Sequence, residues 1–257
     1  MDFIQKMEWI LEREEAVYSQ ELIQFMLENI GNTDSYIRDT LIFKTFSFLI
    51  LKNQLSMKLR KDVLETCSSA DYLLYKIDEK DEDAVFKRSF SALVVALFLS
   101  KDIERRVLDK NLVNQAITNS LAYLPLEHDY RGYIEGKGWA HAIAHGCDLL
   151  AMCIRHPLYD LTVEPLSILE KYLHSGYPFI DDEHSRMVPV IDALLEKGLT
   201  EEEVIDWLKT LLKIGEEDSN KNYRIQWNVE KFCKELYWFS IKNEKYEKIS
   251  SWILNEF

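Results

Sequence analysis

The 257-residue chain carries 31 basic and 44 acidic side chains, a formal net charge of −13, with 47% hydrophobic and 29% charged residues. That balance is one of a folded globular protein rather than a disordered one. An acidic surface repels phosphate backbones and argues against nucleic-acid binding.

The N-terminal stretch MDFIQKMEWILEREEAVY is acidic and amphipathic and lacks the basic and apolar regions of a signal peptide. Leu22, Phe25, Met26 and Ile30 form one helical stripe, with Ser19 as N-cap and Gly31 as the left-handed residue after the helix. Asp34 caps a second helix with Ile37, Leu41, Phe46, Leu49 and Ile50 on its core face, and Ser56 opens a third through Leu59, Val63 and Leu64. The run DEDAVFKRSFSALVVALFLS begins with acids that suit a helix N-terminus and then turns apolar all round, as a central buried helix does. Its apolar part, SALVVALFLS (91–100), is too short to span a bilayer, which takes about 20 apolar residues, so no membrane contact is expected. Leu112–Leu124 reads as a further helix ended by Pro125.

All five prolines lie between Pro125 and Pro189. A loop over 126–137 precedes helices at 139–153 and 163–174, and a helix kinked by Pro189 runs to Gly198. Thr200 and Glu203 have capping-box spacing, Gly215 stops the helix they open, and two helices follow at about 221–242 and 245–256. The expected fold is all-α: one domain over 1–257, with ten to twelve antiparallel helices in a HEAT- or armadillo-like right-handed stack or a compact α-α superhelix. Cys67, Cys147, Cys153 and Cys233 show no CxxC spacing and read as buried thiols in a reducing cytoplasm. Trp207, Trp227, Trp238 and Trp252 read as packing residues.

Chemistry concentrates at LEHDYRGYIEGKG and the GWAHAIAHGCDLL that overlaps its end. Gly132 and Gly136 do not have P-loop spacing, and no strand precedes them. On a helix over 139–153, His141, His145 and Asp148 fall at i, i+4 and i+7 on one face. Asp129 and Arg131 lie close enough upstream for the loop to fold back over that face. Three readings stay open. His141, His145 and Asp148 can hold a divalent metal, although Ala142 stands where a zinc peptidase needs its glutamate. A polar pocket can use Arg131 for a small anionic ligand, with His141, His145, Asp148 and Asp129 as candidate catalytic groups. The reading favoured over both is a structural hydrogen-bonded knot. Arg88, inside the apolar helix, is expected to pair with a carboxylate, and Ser89 to bond the preceding turn. Glu183 and Arg186 have the spacing of a surface ion pair. His128, His156, His174 and His184 read as solvated or capping residues.

In order along the chain, YIRD (36–39), VFKRSFSALV (85–94), DYRGY (129–133), GWAHAIAHGCDLL (138–150), DDEHSRM (181–187) and NVEKFCKELYW (228–238) resemble a bacterial family known as domain of unknown function 2785. The resemblance implies an all-helical protein with no assigned activity. It groups Arg131, Gly132, Trp139, His141, His145 and Asp148 as one signature, and implies that Arg38, Asp39, Arg88 and Ser89 face the same region. Arg131, Gly132, Trp139 and Arg88 are thus the candidate ligand-binding residues. The function expected is an interaction or scaffold module whose acidic surface suits a basic protein partner; the alternative is a small-ligand-binding protein or metal-assisted hydrolase using the same cluster.

Overall fold

A computed structural model describes residues 2–213 and 218–257; the stop expected at Gly215 lies outside them. Helix starts follow local side chains. Asp2 and Gln5 close a capping box at α1 (Phe3–Arg13), Ser19 caps α2 (Gln20–Glu28), Ser56 caps α4 (Met57–Ser68), and Thr200 with Glu203 boxes α12 (Glu201–Leu211). Each supplies acceptors for amide groups that the first helical turn leaves unpaired.

Asp34 accepts the amides of Tyr36 and Ile37 as expected. The segment it opens is a π-helix (Tyr36–Phe43) that runs on into α3 (Lys44–Leu51). A single turn, α5 (Ala70–Leu73), precedes the central α6 (Ala84–Arg105), buried over most of its length. Beyond it lie α7 (Lys110–Leu121), the single turn α8 (Tyr123–Leu126), α9 (Ala142–Arg155), α10 (Glu164–Leu173) and α11 (Glu183–Lys197). After α12 come α13 (Ser219–Lys242) and α14 (Glu247–Glu256). Pro125 lies inside the α8 turn instead of ending α7, and the two single turns carry the number of helical segments beyond the twelve expected.

Successive contacts run α1–α3–α6–α9–α11–α13 along one row, with α2–α4–α7 and α10–α12–α14 packed beside it. One hydrophobic cluster extends from Met7 to Ile253. No helix among the described residues is long and apolar enough to cross a membrane.

Four local expectations are corrected. The residue ending α2 is Asn29, and Gly31 serves close packing instead: a Cβ there would stand 2.7 Å from Lys87 Cβ and 2.8 Å from its backbone. His156 is the C-cap of α9, within the expectation, but it is wholly buried rather than solvated, its Nε2 3.2 Å from Asp102 Oδ2 while its Nδ1 accepts the Leu158 amide. His184 is buried as well. Trp227 and Trp238 are exposed, because they point away from the side of α13 that enters the core.

Candidate functional site

The loop after α8 is anchored before it reaches the histidines. Glu127, fully buried, takes Arg88 in a two-pronged ion pair at 2.8 Å and 2.8 Å and also accepts the amides of His128 and Asp129. Burial opposes the Arg88 charge, and the Glu127 carboxylate more than restores it, so its pKa is raised. Asp129 grips Arg131, with Oδ1 2.9 Å from Nε, and Arg131 Nη2 reaches the Glu82 carbonyl at 2.6 Å. These pairs line a cleft of about 520 Å³ together with Asp81, Tyr130 and Tyr177.

The chain then forms a two-residue hairpin, β1 (Tyr133–Ile134) paired antiparallel with β2 (Gly138–Trp139). This overturns the expected helix start at 139. The Gly132 carbonyl accepts the amides of Ala140 and His141 at 2.8 Å and 3.4 Å, so these donors are used outside the helix. His141 is the N-cap of α9, in the left-handed conformation at φ 45°. The three-residue helical face therefore shrinks to His145 and Asp148, with His141 at its mouth.

Gly132 also fixes a loop-to-loop contact. A Cβ on it would lie 2.2–2.6 Å from the Asp181 side chain, so only glycine allows this approach. Asp181 Oδ2 accepts the Tyr133 amide at 3.0 Å, and its carbonyl lies 2.8 Å from His141 Nε2. A carbonyl only accepts, so His141 carries its proton on Nε2. The His141 ring stacks on Trp139 at 4.3 Å, and Trp139 meets Tyr133 edge-on at 5.0 Å.

Asp148 bonds Arg186 rather than either imidazole. Its Oδ1 is 2.9 Å from Arg186 Nε, and its Oδ2 meets Arg186 Nη2, which joins α9 to α11. The surface pair expected between Glu183 and Arg186 is absent for that reason. Glu183 is buried and accepts the Asp181 amide at 3.0 Å; burial raises its pKa.

His145 is buried between the His141 and Phe90 rings, at 5.6 Å and 5.2 Å. Its Nδ1 has no hydrogen-bond partner among the described residues. Burial first, then His141, Arg186 and Arg38, hold its pKa well below the usual imidazole value. Burial lowers the pKa of His141 too, against the pull of Asp181.

Arg38 completes this side of the site. It is fully buried, its guanidinium 4.1 Å over Phe86 and 4.8 Å over Phe90, with Nε 2.7 Å from Asp39 Oδ1. It donates to the Asn32 carbonyl and, across the hairpin, to the Lys137 carbonyl at 2.7 Å and 2.8 Å. Ser89 bonds the Phe86 carbonyl at 3.4 Å, as expected.

The predicted residues thus divide between two places. Asp129, Arg131 and Arg88 line the cleft; Trp139, His141, His145, Asp148, Arg38 and Asp39 gather around the mouth of α9, with Gly132 between. No group of three His, Cys, Asp or Glu side chains among the described residues is placed to hold a metal ion. Arg186, Asp181 and Glu127 are the members that sequence spacing missed.

Residues 73–238 match the family described as Protein of unknown function (DUF2785). The chain belongs to this family. No curated protein and no solved structure matches it. The DUF2785 segment includes both groups of site residues except Arg38 and Asp39, which precede it. The buried Arg38 therefore ties the segment's hairpin to the N-terminal helices.

Proposed function

We propose that this DUF2785 protein is an interaction or scaffold module in which the polar cluster is structural. The observation that carries the reading is internal pairing: Asp148 with Arg186, Asp129 with Arg131, Glu127 with Arg88 and Asp39 with Arg38. A catalytic or anion-gripping group needs charge left over for its substrate, and these charges are directed at one another. The row-by-row helix contacts support a HEAT-like, single-domain stack. The four unpaired, buried cysteines suit a reducing cytoplasm.

A second reading is supported by the cleft of about 520 Å³ beside Arg131 and Asp129 and by the unpartnered Nδ1 of His145. It is a small-ligand site; a metal-assisted hydrolase on His141, His145 and Asp148 is not supported, since Asp148 is committed to Arg186 and no three such groups among the described residues are placed to hold a metal ion.

Thermal unfolding with a panel of divalent metals, phosphates and carboxylates separates the two. On the structural reading, His145→Ala removes packing against the Phe90 and His141 rings and lowers stability by about 2 kcal/mol or more, and no compound gives a stabilising shift that the mutation removes. A ligand-induced shift lost in His145→Ala, with unaltered stability of the free protein, overturns it.

A further inference from the structure

Helix α13 ends the row of stacked helices, with α11 and α14 as its principal neighbours. Ile225, Val229, Phe232 and Leu236 face the core. The opposite side carries Tyr223, Trp227, Trp238 and Ile241, all exposed, with Tyr223 at 68% and Trp238 at 62%. Their positions, separated by four, eleven and three residues, follow the three- and four-residue steps of a helix-packing seam. Exposed tryptophans aligned on one stripe are the composition of an interface centre, where aromatic anchors dominate binding. Lys231 and Lys234 occupy the middle of the stripe; Lys231 Nζ lies 4.8 Å over the Trp227 ring and Lys234 is 3.2 Å from Glu230.

Charge narrows the occupant. α13 holds five basic and two acidic side chains, a local +3 on a chain of net −13. The chain-wide charge suits a basic partner, but this face reverses it. A second copy docking through the same face would set lysine against lysine. A membrane or a nucleic-acid duplex would extend past α13 into the acidic remainder. A single helix stays within the local field, since charges are screened over about 8–10 Å. From Tyr223 to Ile241 the stripe is about 27 Å long at 1.5 Å per residue, room for some five turns of a partner helix.

We propose that the outer stripe of α13 is the docking surface for an acidic amphipathic helix of a partner protein. The partner lays its apolar side between Tyr223, Trp227, Trp238 and Ile241, as the next helix of the row would, and its carboxylates meet Arg224, Lys231, Lys234 and Lys242. The proposal rests on the scaffold reading and names the surface and chemistry it uses.

The test is selection of a displayed library of random 18-residue peptides on the full chain. Enriched peptides are then titrated by fluorescence anisotropy against wild type, Trp238→Ala and the double variant Lys231→Glu/Lys234→Glu. All these positions are partly or largely exposed, so the variants should keep the wild-type melting temperature, which is checked first. The expected result is enrichment of net-acidic sequences with apolar residues at three- and four-residue spacing. Each variant should weaken them at least tenfold, and added salt should weaken them further. Phosphatidylserine-containing vesicles and a 20-base-pair DNA duplex, titrated in parallel, should bind at least a hundredfold more weakly. Enriched peptides indifferent to both variants overturn this surface and leave the scaffold reading standing. Enrichment of nothing overturns both. Tighter binding of vesicles or DNA overturns the choice of partner.

Discussion

Asp148 on α9 is held in a two-pronged pair by Arg186 on α11, 38 residues later, while the two histidines of the same stretch bond or stack elsewhere. The pair is partly open to solvent, with the Arg186 side chain 41% exposed, so solvent screening limits its strength. A double-mutant cycle of Asp148→Asn and Arg186→Met, read by urea unfolding, should give single losses of about 1–2 kcal/mol and a coupling of about 1 kcal/mol. Additive losses would show that the contact contributes no coupling.

The Arg88–Glu127 pair should behave more severely. Both side chains are almost wholly buried, and Glu127 also organises the amides of His128 and Asp129. Arg88→Met leaves a carboxylate inside without its cation, a loss of about 3–5 kcal/mol. Chemical denaturation measures it, and protease sensitivity should rise between residues 127 and 131, which the carboxylate pins to α6.

Two nearby glycines provide a matched comparison. Gly132→Ala forces a Cβ into Asp181, whereas Gly136, at φ 75°, has nothing within 4 Å of its own added Cβ. Gly136→Ala should cost about 1 kcal/mol for the left-handed backbone alone. Gly132→Ala should cost about 2 kcal/mol or more, because the 181 loop must move and with it the bond to His141. Equal melting temperatures for the two variants would contradict the close approach.

What was legible in the sequence follows from range. Ser19, Ser56 and the Thr200–Glu203 box act within one turn, and the structure holds each where spacing puts it. The burial of α6 was written in its apolar run, and the carboxylate expected for Arg88 is Glu127. The site was legible as a cluster and not as a geometry. Its partners lie about 40 residues apart, Arg186 for Asp148 and Asp181 for His141, and helical periodicity carries no information at that distance. The displaced start of α9 came from the Gly132 carbonyl taking two amides, a tertiary event. Trp227 and Trp238 were misplaced because an exposed aromatic stripe has the same spacing as a buried one.

Acid should unfold the protein through its buried imidazoles. Burial first, and Lys231 after it, lower the His184 pKa to about 4, against the pull of Asn228 and Asp182. The unfolded chain binds this proton near pH 6.5 and the folded chain does so only near 4. Between those values the unfolded state holds more protons, so stability rises with pH and is lost on acidification. The stability that His184 contributes is complete above about pH 6.5 and declines as pH falls toward 4, by on the order of 2–3 kcal/mol. His141 and His145, lowered chiefly by burial, act with the same sign in a window that opens at the same unfolded value. Urea midpoints at pH 7.5 and 4.5 test this. His184→Gln should narrow the difference between the two midpoints relative to wild type, since the carboxylates that also titrate are common to both proteins. An unchanged difference would mean that His184 takes up its proton as readily in the folded chain as in the unfolded one.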